Sequence, residues 1–260
     1  MCTLIALHRC TPAAPLVVAA NRDEQQSRPA EKPALRFERR LPVVAPRDLR
    51  AGGTWIGVNS SGLLAAVTNR PTRSRDDARR SRGLVVLDAL EHASARAAAE
   101  ASGSLARDAY NPFNLFLADG RDAFAVVYEG APRVSLLAPG VHVICNADPD
   151  ARTHPKVDRL LARAEAAAGL PPERLLGALA DVCRSHDGGG SPLDDACIHG
   201  DGYGTRSSTL LRLGEPGTGT FWFADGPPCR TPYEDFTSLL PGLHRGAECR
   251  AEGSTARTIV

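Results

Sequence analysis

Cys2-Thr3-Leu4-Ile5-Ala6-Leu7-His8-Arg9, then Leu16-Val17-Val18-Ala19-Ala20 running straight into Asn21-Arg22-Asp23-Glu24, is the stretch whose reading decides the fold. The first segment alternates and is rich in strand-forming residues, and the second is a short apolar run. Between them, Thr11-Pro12 to Pro15 reads as a turn, so the two segments form a β-hairpin. The second strand ends on consecutive polar residues. Such a row must face water or a site.

Working outward, most other segments read as hairpins too. Gly52–Val58 and Gly62–Asn69 are strands joined by Asn59-Ser60-Ser61, and residues 110–118 and 123–128 flank Asp119-Gly120. Segments 134–137 and 141–145 form another pair, and 205–213 with 220–224 are the last clear strands. Helical spacing is expected over 83–102, with Leu84, Leu87, Leu90 and Ala97 on one side, and over 156–169 and 173–184. Residues 25–42 read as an irregular connection, 187–204 as a loop, and the six-arginine segment 70–82 as a solvated loop rather than a ligand clamp. The tail beyond Gly246 is expected to fray. Consecutive hairpins make sheets largely antiparallel. Two such sheets with helices on their outer faces fit the order, in a single domain over 1–260 without linker or repeat.

Composition narrows the function classes. Of the 260 residues, 43% are apolar and 23% charged, as in soluble domains. The net charge of +1 gives no electrostatic case for nucleic acid or an anionic membrane. The apolar start is too short for a signal peptide, and no run reaches the ~18 apolar residues of a membrane helix, so a cytoplasmic location is expected. The seven scattered cysteines argue against a disulfide framework. No Cys-x-x-Cys pair is present, so a zinc site is not expected; no cofactor is expected either.

Cys2 carries the chemistry. Aminopeptidase removal of Met1 is expected because the second residue is small. The product would hold a thiol of pKa about 8.5 beside an α-amine of about 7.7–8.0, a nucleophile and a base on one residue. Asp23 is suited to accept a bond from that ammonium, and Arg22 to lower the thiol pKa and polarise a carbonyl. The same residues also fit a small hydrophobe at a strand start and a solvated turn. Asn69 and Asn146 each end a strand; an amide there suits an oxyanion hole, or an Asx turn. Arg206, in Tyr203-Gly204-Thr205-Arg206-Ser207-Ser208-Thr209, stands where a strand begins and either reaches the same cleft or is merely exposed. His8, His142 and His199 make no pair with Cys2 in sequence.

Met-Cys-Thr-Leu-Ile, Ala19-Ala20-Asn21-Arg22-Asp23-Glu24, Gly52-Gly53-Thr54-Trp55-Ile56-Gly57, Ala65-Ala66-Val67-Thr68-Asn69-Arg70-Pro71 and Tyr203–Thr209, in this order, resemble the NRDE family, also called the transport and Golgi organisation protein 2 family. That family looks like the N-terminal-nucleophile hydrolases, which implies an α+β fold, a four-layer αββα sandwich. Within that group the chain is similar to the penicillin V acylase and bile-salt hydrolase branch, which carries an Arg and then Asn-x-Asp at the end of the second strand. The resemblance implies that Asp23 holds the Cys2 amine, that Asn146 (with Asn69) serves the oxyanion, and that Arg206 lies near the nucleophile. Here the arginine, Arg22, falls between Asn21 and Asp23 instead of before them. Asn21, Trp55 and Tyr203, inside these motifs, are expected to line the substrate site. His154-Pro155-Lys156 stands where the family usually has Trp-Pro-Lys, so the pocket is expected to differ there.

The implied activity is hydrolysis, or acyl transfer, of a small non-peptide amide or related acyl compound through a Cys2 thioester. The rival reading is a non-catalytic carrier of haem or an acyl lipid in the same cleft, and a third is a scaffold with a vestigial site.

Overall fold

A computed structural model describes residues 2–11 and 14–243. The expectations for Met1, for the centre of the first turn and for the tail beyond Gly246 therefore lie outside the described residues.

Among the described residues, thirteen strands form two antiparallel sheets. β1 (Cys2–Thr11), β2 (Ala14–Gln25), β10 (Gly140–Ile144), β11 (Tyr203–Leu213), β12 (Gly219–Ala224) and β13 (Glu234–Asp235) make the first, in the order β10-β1-β2-β11-β12-β13. β3 (Ala30–Arg36), β4 (Val43–Asp48), β5 (Ile56–Asn59), β6 (Leu64–Asn69), β7 (Phe113–Ala118), β8 (Ala123–Tyr128) and β9 (Pro132–Leu137) make the second, in sequence order. Helices α1 (Arg82–Ala89) and α2 (Ala95–Ser102) cover the second sheet, and α3 (Pro155–Ala168) and α4 (Pro172–Cys183) cover the first.

The alternation of side chains along a strand explains the layering. On β1 and β2, Leu4, Ala6, Leu16, Val18 and Ala20 pack against Ile56, Leu64, Ala66 and Phe116 of the second sheet. Their neighbours Ile5, Leu7, Val17 and Ala19 pack against Val157, Leu160, Leu175 and Leu179 of α3 and α4. On the far side, Ala65, Val67, Leu115 and Leu117 pack against Val85, Val86, Ala95 and Ala98 of α1 and α2. Strands buried on both faces read as nearly continuous apolar runs. The α+β architecture is thus the four-layer αββα sandwich.

Three local readings are corrected. Segments 134–137 and 141–145 do not pair with each other: β9 pairs with β8 in the second sheet and β10 with β1 in the first, so the chain crosses between the sheets at Ala138-Pro139. The connection expected over 25–42 contains β3. Pro33 breaks the strand signal, but β3 is an edge strand whose register shifts between Glu31 and Ala34, where a proline is tolerated. The single helix expected over 83–102 is two. The Asn59 side-chain amide donates to the carbonyls of Leu90 and His92 at 2.9 and 2.7 Å, closing the end of α1. Ser94 then caps α2 by accepting from the Ala97 N–H at 3.2 Å, while Asp119 accepts from Ala95 N at 2.8 Å.

Candidate active site

The hairpin of β1 and β2 delivers its polar end to the rim of the sandwich. Cys2 pairs across the sheet with Arg22, and both continue the row of Leu4, Ala6, Val18 and Ala20 that faces between the sheets. Where the apolar core stops, this row opens into a cleft of about 310 Å³ lined by Cys2, Arg22, Asp23, Trp55 and Asn69 among others. Cys2 is 8% exposed.

Three side chains set the electrostatics. The Arg22 guanidinium lies over the Trp55 ring, 4.1 Å from its centroid, and 3.7 Å from Asp48 Oδ2; its Nη1 is buried with no hydrogen-bond partner among the described residues. Burial lowers its pKa, yet guanidinium is effectively always charged, so it remains a cation. Asp23 is buried, with Oδ1 accepting from the Thr205 hydroxyl at 2.6 Å and Oδ2 without a partner among the described residues. Burial pushes its carboxyl up to about 6, against the pull of the Lys156 ammonium. Burial also pushes the Cys2 thiol up, reinforced by the Asp23 charge and opposed by Arg22. The thiol and the Tyr203 hydroxyl both donate to the Asp23 carbonyl, at 3.9 and 3.2 Å.

The remaining expected residues divide. Asn69 lines the cleft, and Asn146 donates from Nδ2 to the Asn69 carbonyl at 2.8 Å, so Asn146 reaches the site through Asn69. Trp55 lines the cleft beneath Arg22. Tyr203 is absent from the lining and acts on the backbone of Asp23. Asn21, expected to touch substrate, belongs to the opposite row. Its amide donates to the carbonyls of Cys183 and Ala196, both at 2.8 Å, tying β2 to the end of α4. Arg206 is displaced by a bulge: Thr205 pairs with Asp23 and Ser207 with Arg22, leaving Arg206 as the extra residue. Its guanidinium bonds Asp225 at 2.5 Å and is not part of the cleft lining.

The second wall of the cleft comes from the loop read as solvated. It is largely exposed, but Arg75, Asp76, Arg79 and half-buried Arg82 face the cleft. The Gly52-Gly53 pair fixes this wall: a Cβ on Gly53 would sit 2.4 Å from the backbone carbon of Gly83, and Thr54 N donates to Gly83 O at 3.1 Å. Residue reading also missed Asp48, which binds Arg28 at 2.6 Å, and Lys156, buried behind Asp23. Thr205 stood inside a quoted motif, but only the fold shows its hydroxyl on Asp23. His154 helps shape no part of the cleft lining; it precedes Pro155 at the start of α3.

The structure is similar to penicillin V acylase from Agrobacterium tumefaciens, with a TM-score of 0.60 at 13% identity, covering 91% of this chain and 86% of that one. It is likewise similar to an N-acylethanolamine-hydrolyzing acid amidase ortholog from Caenorhabditis elegans, with a TM-score of 0.58 at 13% identity, covering 82% of this chain and 94% of that one. The fold class is that of the N-terminal-nucleophile hydrolases. A family model described as Transport and Golgi organisation 2 matches residues 1–222. Transport and Golgi organization protein 2 homolog of Homo sapiens is 30% identical over 234 residues, 79% of this chain and 84% of that protein. The chain belongs to the transport and Golgi organisation 2 family. Among the described residues no helix is long and apolar enough to cross a membrane.

Proposed function

We propose that the chain is a cysteine N-terminal-nucleophile hydrolase that cleaves a small non-peptide amide, or transfers its acyl group, through Cys2. One observation carries the reading: Asp23 Oδ2 is a buried carboxylate oxygen with no hydrogen-bond partner among the described residues, beside a cleft-lining thiol. Leaving such an oxygen unpaired costs about 1–3 kcal/mol or more. The α-ammonium of Cys2, freed by removal of Met1, is a donor of matching charge.

The steps balance. The Cys2 amine takes the thiol proton as sulfur attacks the carbonyl carbon. Asn69, held by Asn146, stabilises the oxyanion. The C–N bond breaks, the amine passes its proton to the leaving nitrogen, and a thioester remains. Water, deprotonated by the same amine, releases the acid and restores the thiol; an amine in place of water makes the same reaction an acyl transfer. The raised thiol pKa makes this intramolecular base necessary.

Arg22 Nη1 and half-buried Arg82 favour a substrate with a carboxylate or other anionic group near the scissile bond. The largely polar lining speaks against an alkyl lipid as cargo. The test is intact-mass spectrometry before and after incubation with N-acyl amino acids and uncharged N-acyl amides. The expected result is loss of Met1 and an acyl adduct on Cys2, formed faster by the carboxylated compounds. Retained Met1, or adducts that map elsewhere, would overturn the proposal.

A further inference from the structure

Away from the cleft, four side chains from three segments converge. His186 follows α4, Cys197 and His199 lie in the loop entering β11, and Cys229 lies in the turn after β12. One ligand atom from each lies within 4.8 Å of all the others. Cys197 Sγ is 3.6 Å from Cys229 Sγ and 3.9 Å from His199 Nε2, and His199 Nε2 is 3.1 Å from Cys229 Sγ. We propose that these residues bind one divalent zinc ion in a Cys2His2 site.

The distances fit that ion. Zinc takes thiolate sulfur at about 2.3 Å and imidazole nitrogen at about 2.0–2.1 Å in a tetrahedron, whose ligands then stand about 3.3–3.8 Å apart. Both thiols are free, and their sulfurs are well beyond the ~2.05 Å of a disulfide. A carboxylate also stands beside one of the imidazoles. His186 Nδ1 faces Asp195 Oδ2 at 3.8 Å, and Asp195 is itself fixed by accepting from Gly188 N at 2.8 Å. Carboxylates in this position orient metal-bound imidazoles. Two thiolates and two imidazoles select zinc over the oxygen-seeking calcium and magnesium.

The site is structural, because four protein ligands leave no open position. Its residues do not line the Cys2 cleft, so it stands independently of the hydrolase reading. It pins a segment, 184–202, whose regular structure is a single short turn at Pro192–Asp194. From there a short relay reaches the candidate active site: Ile198 N donates to the Thr205 hydroxyl at 2.9 Å, and that hydroxyl donates to Asp23. The Cys-x-x-Cys rule missed the site because its local pair is Cys197-Ile198-His199 and its other two ligands come from elsewhere in the chain.

The experiment is metal analysis of the full chain, purified under reducing conditions after growth with zinc sulfate, with a parallel cobalt-substituted sample. About one zinc per chain is expected, together with visible bands of tetrahedral cobalt and a thiolate charge-transfer band. Cys197→Ser should lose both signals, while Cys229→His, which keeps four donors, and Cys2→Ala should retain the metal. If Cys197→Ser does not fold, the wild-type stoichiometry and the cobalt spectrum decide. Wild-type protein that binds neither metal, an octahedral cobalt spectrum, or a mass two hydrogens light from a Cys197–Cys229 disulfide under these conditions would overturn the proposal.

Discussion

Cys2 and Cys197 are both buried thiols, 8% and 0% exposed, yet their surroundings ask different things of sulfur. Around Cys2 stand a carboxylate, a guanidinium and an open cleft: charges that act on a reacting carbonyl and leave room for one. Around Cys197 stand a second thiol and an imidazole within 3.9 Å, with a second imidazole completing the cluster. Those are soft neutral donors converging on a point and leaving no room for a substrate. The partner set, rather than burial, separates a nucleophile from a ligand.

The largest effect expected to test this contrast is at Cys2. Replacing Cys2 with Ala should abolish the acyl adduct and turnover, with little change in thermal stability, since the side chain lies at the cleft floor. The Cys197 variant should do the reverse, lowering the unfolding temperature in zinc-loaded protein while Cys2 still labels. If Cys197→Ser alone removed labelling without destabilising the chain, the division between the two thiols would fail.

Asp23→Asn comes next. Loss of the charge that orients the Cys2 amine should slow acylation by about 10²- to 10⁴-fold. The pH profile is the sharper readout. With Asp23 titrating at about 6, the wild-type rate should rise as pH climbs through that value, and the variant should lack this limb. Stability runs the other way. The native state holds the Asp23 proton more tightly than the unfolded chain, where the value is 3.8, so this group favours folding below that pH and loses the contribution as pH rises through about 6. Asp23→Asn should flatten that part of the curve in urea titrations at several pH values.

Much of this was legible in sequence, and the failures have physical causes. The β1–β2 hairpin could be read because two strand-forming apolar runs flank a proline-marked turn, and its polar end because Asn21-Arg22-Asp23-Glu24 follows the second run directly. β3 was hidden by Pro33, which an edge strand accommodates. The break between α1 and α2 is imposed by Asn59, distant in sequence, capping α1 from another element. The second wall of the cleft looked solvated because composition cannot tell a loop folded over a cleft from one in open water. The Cys–His cluster escaped because its closure depends on tertiary contacts.

Gly53→Ala should perturb the cleft by geometry alone. Its Cβ would collide with the backbone at Gly83, which cannot yield as a flexible side chain does. A loss of about 1–3 kcal/mol is expected, seen as a lower unfolding temperature. Arg82 should move with the displaced wall, so the preference for carboxylated substrates should weaken before Cys2 labelling does. An unchanged preference would separate this wall from recognition.

The smallest effect is expected at Arg206, and it distinguishes resemblance from geometry. By resemblance this arginine belongs near the nucleophile; the bulge between Thr205 and Ser207 instead turns it to Asp225. A partly exposed ion pair of this kind contributes about 0.2–1 kcal/mol. Arg206→Ala should therefore lower stability by no more than that and leave Cys2 labelling within about twofold, a change of ~0.4 kcal/mol in barrier. Arg22→Ala, which removes the guanidinium over Trp55, should slow labelling far more. Comparable losses from the two variants would mean that Arg206 leaves Asp225 when substrate binds, and that the bulge is a hinge rather than a fixed displacement.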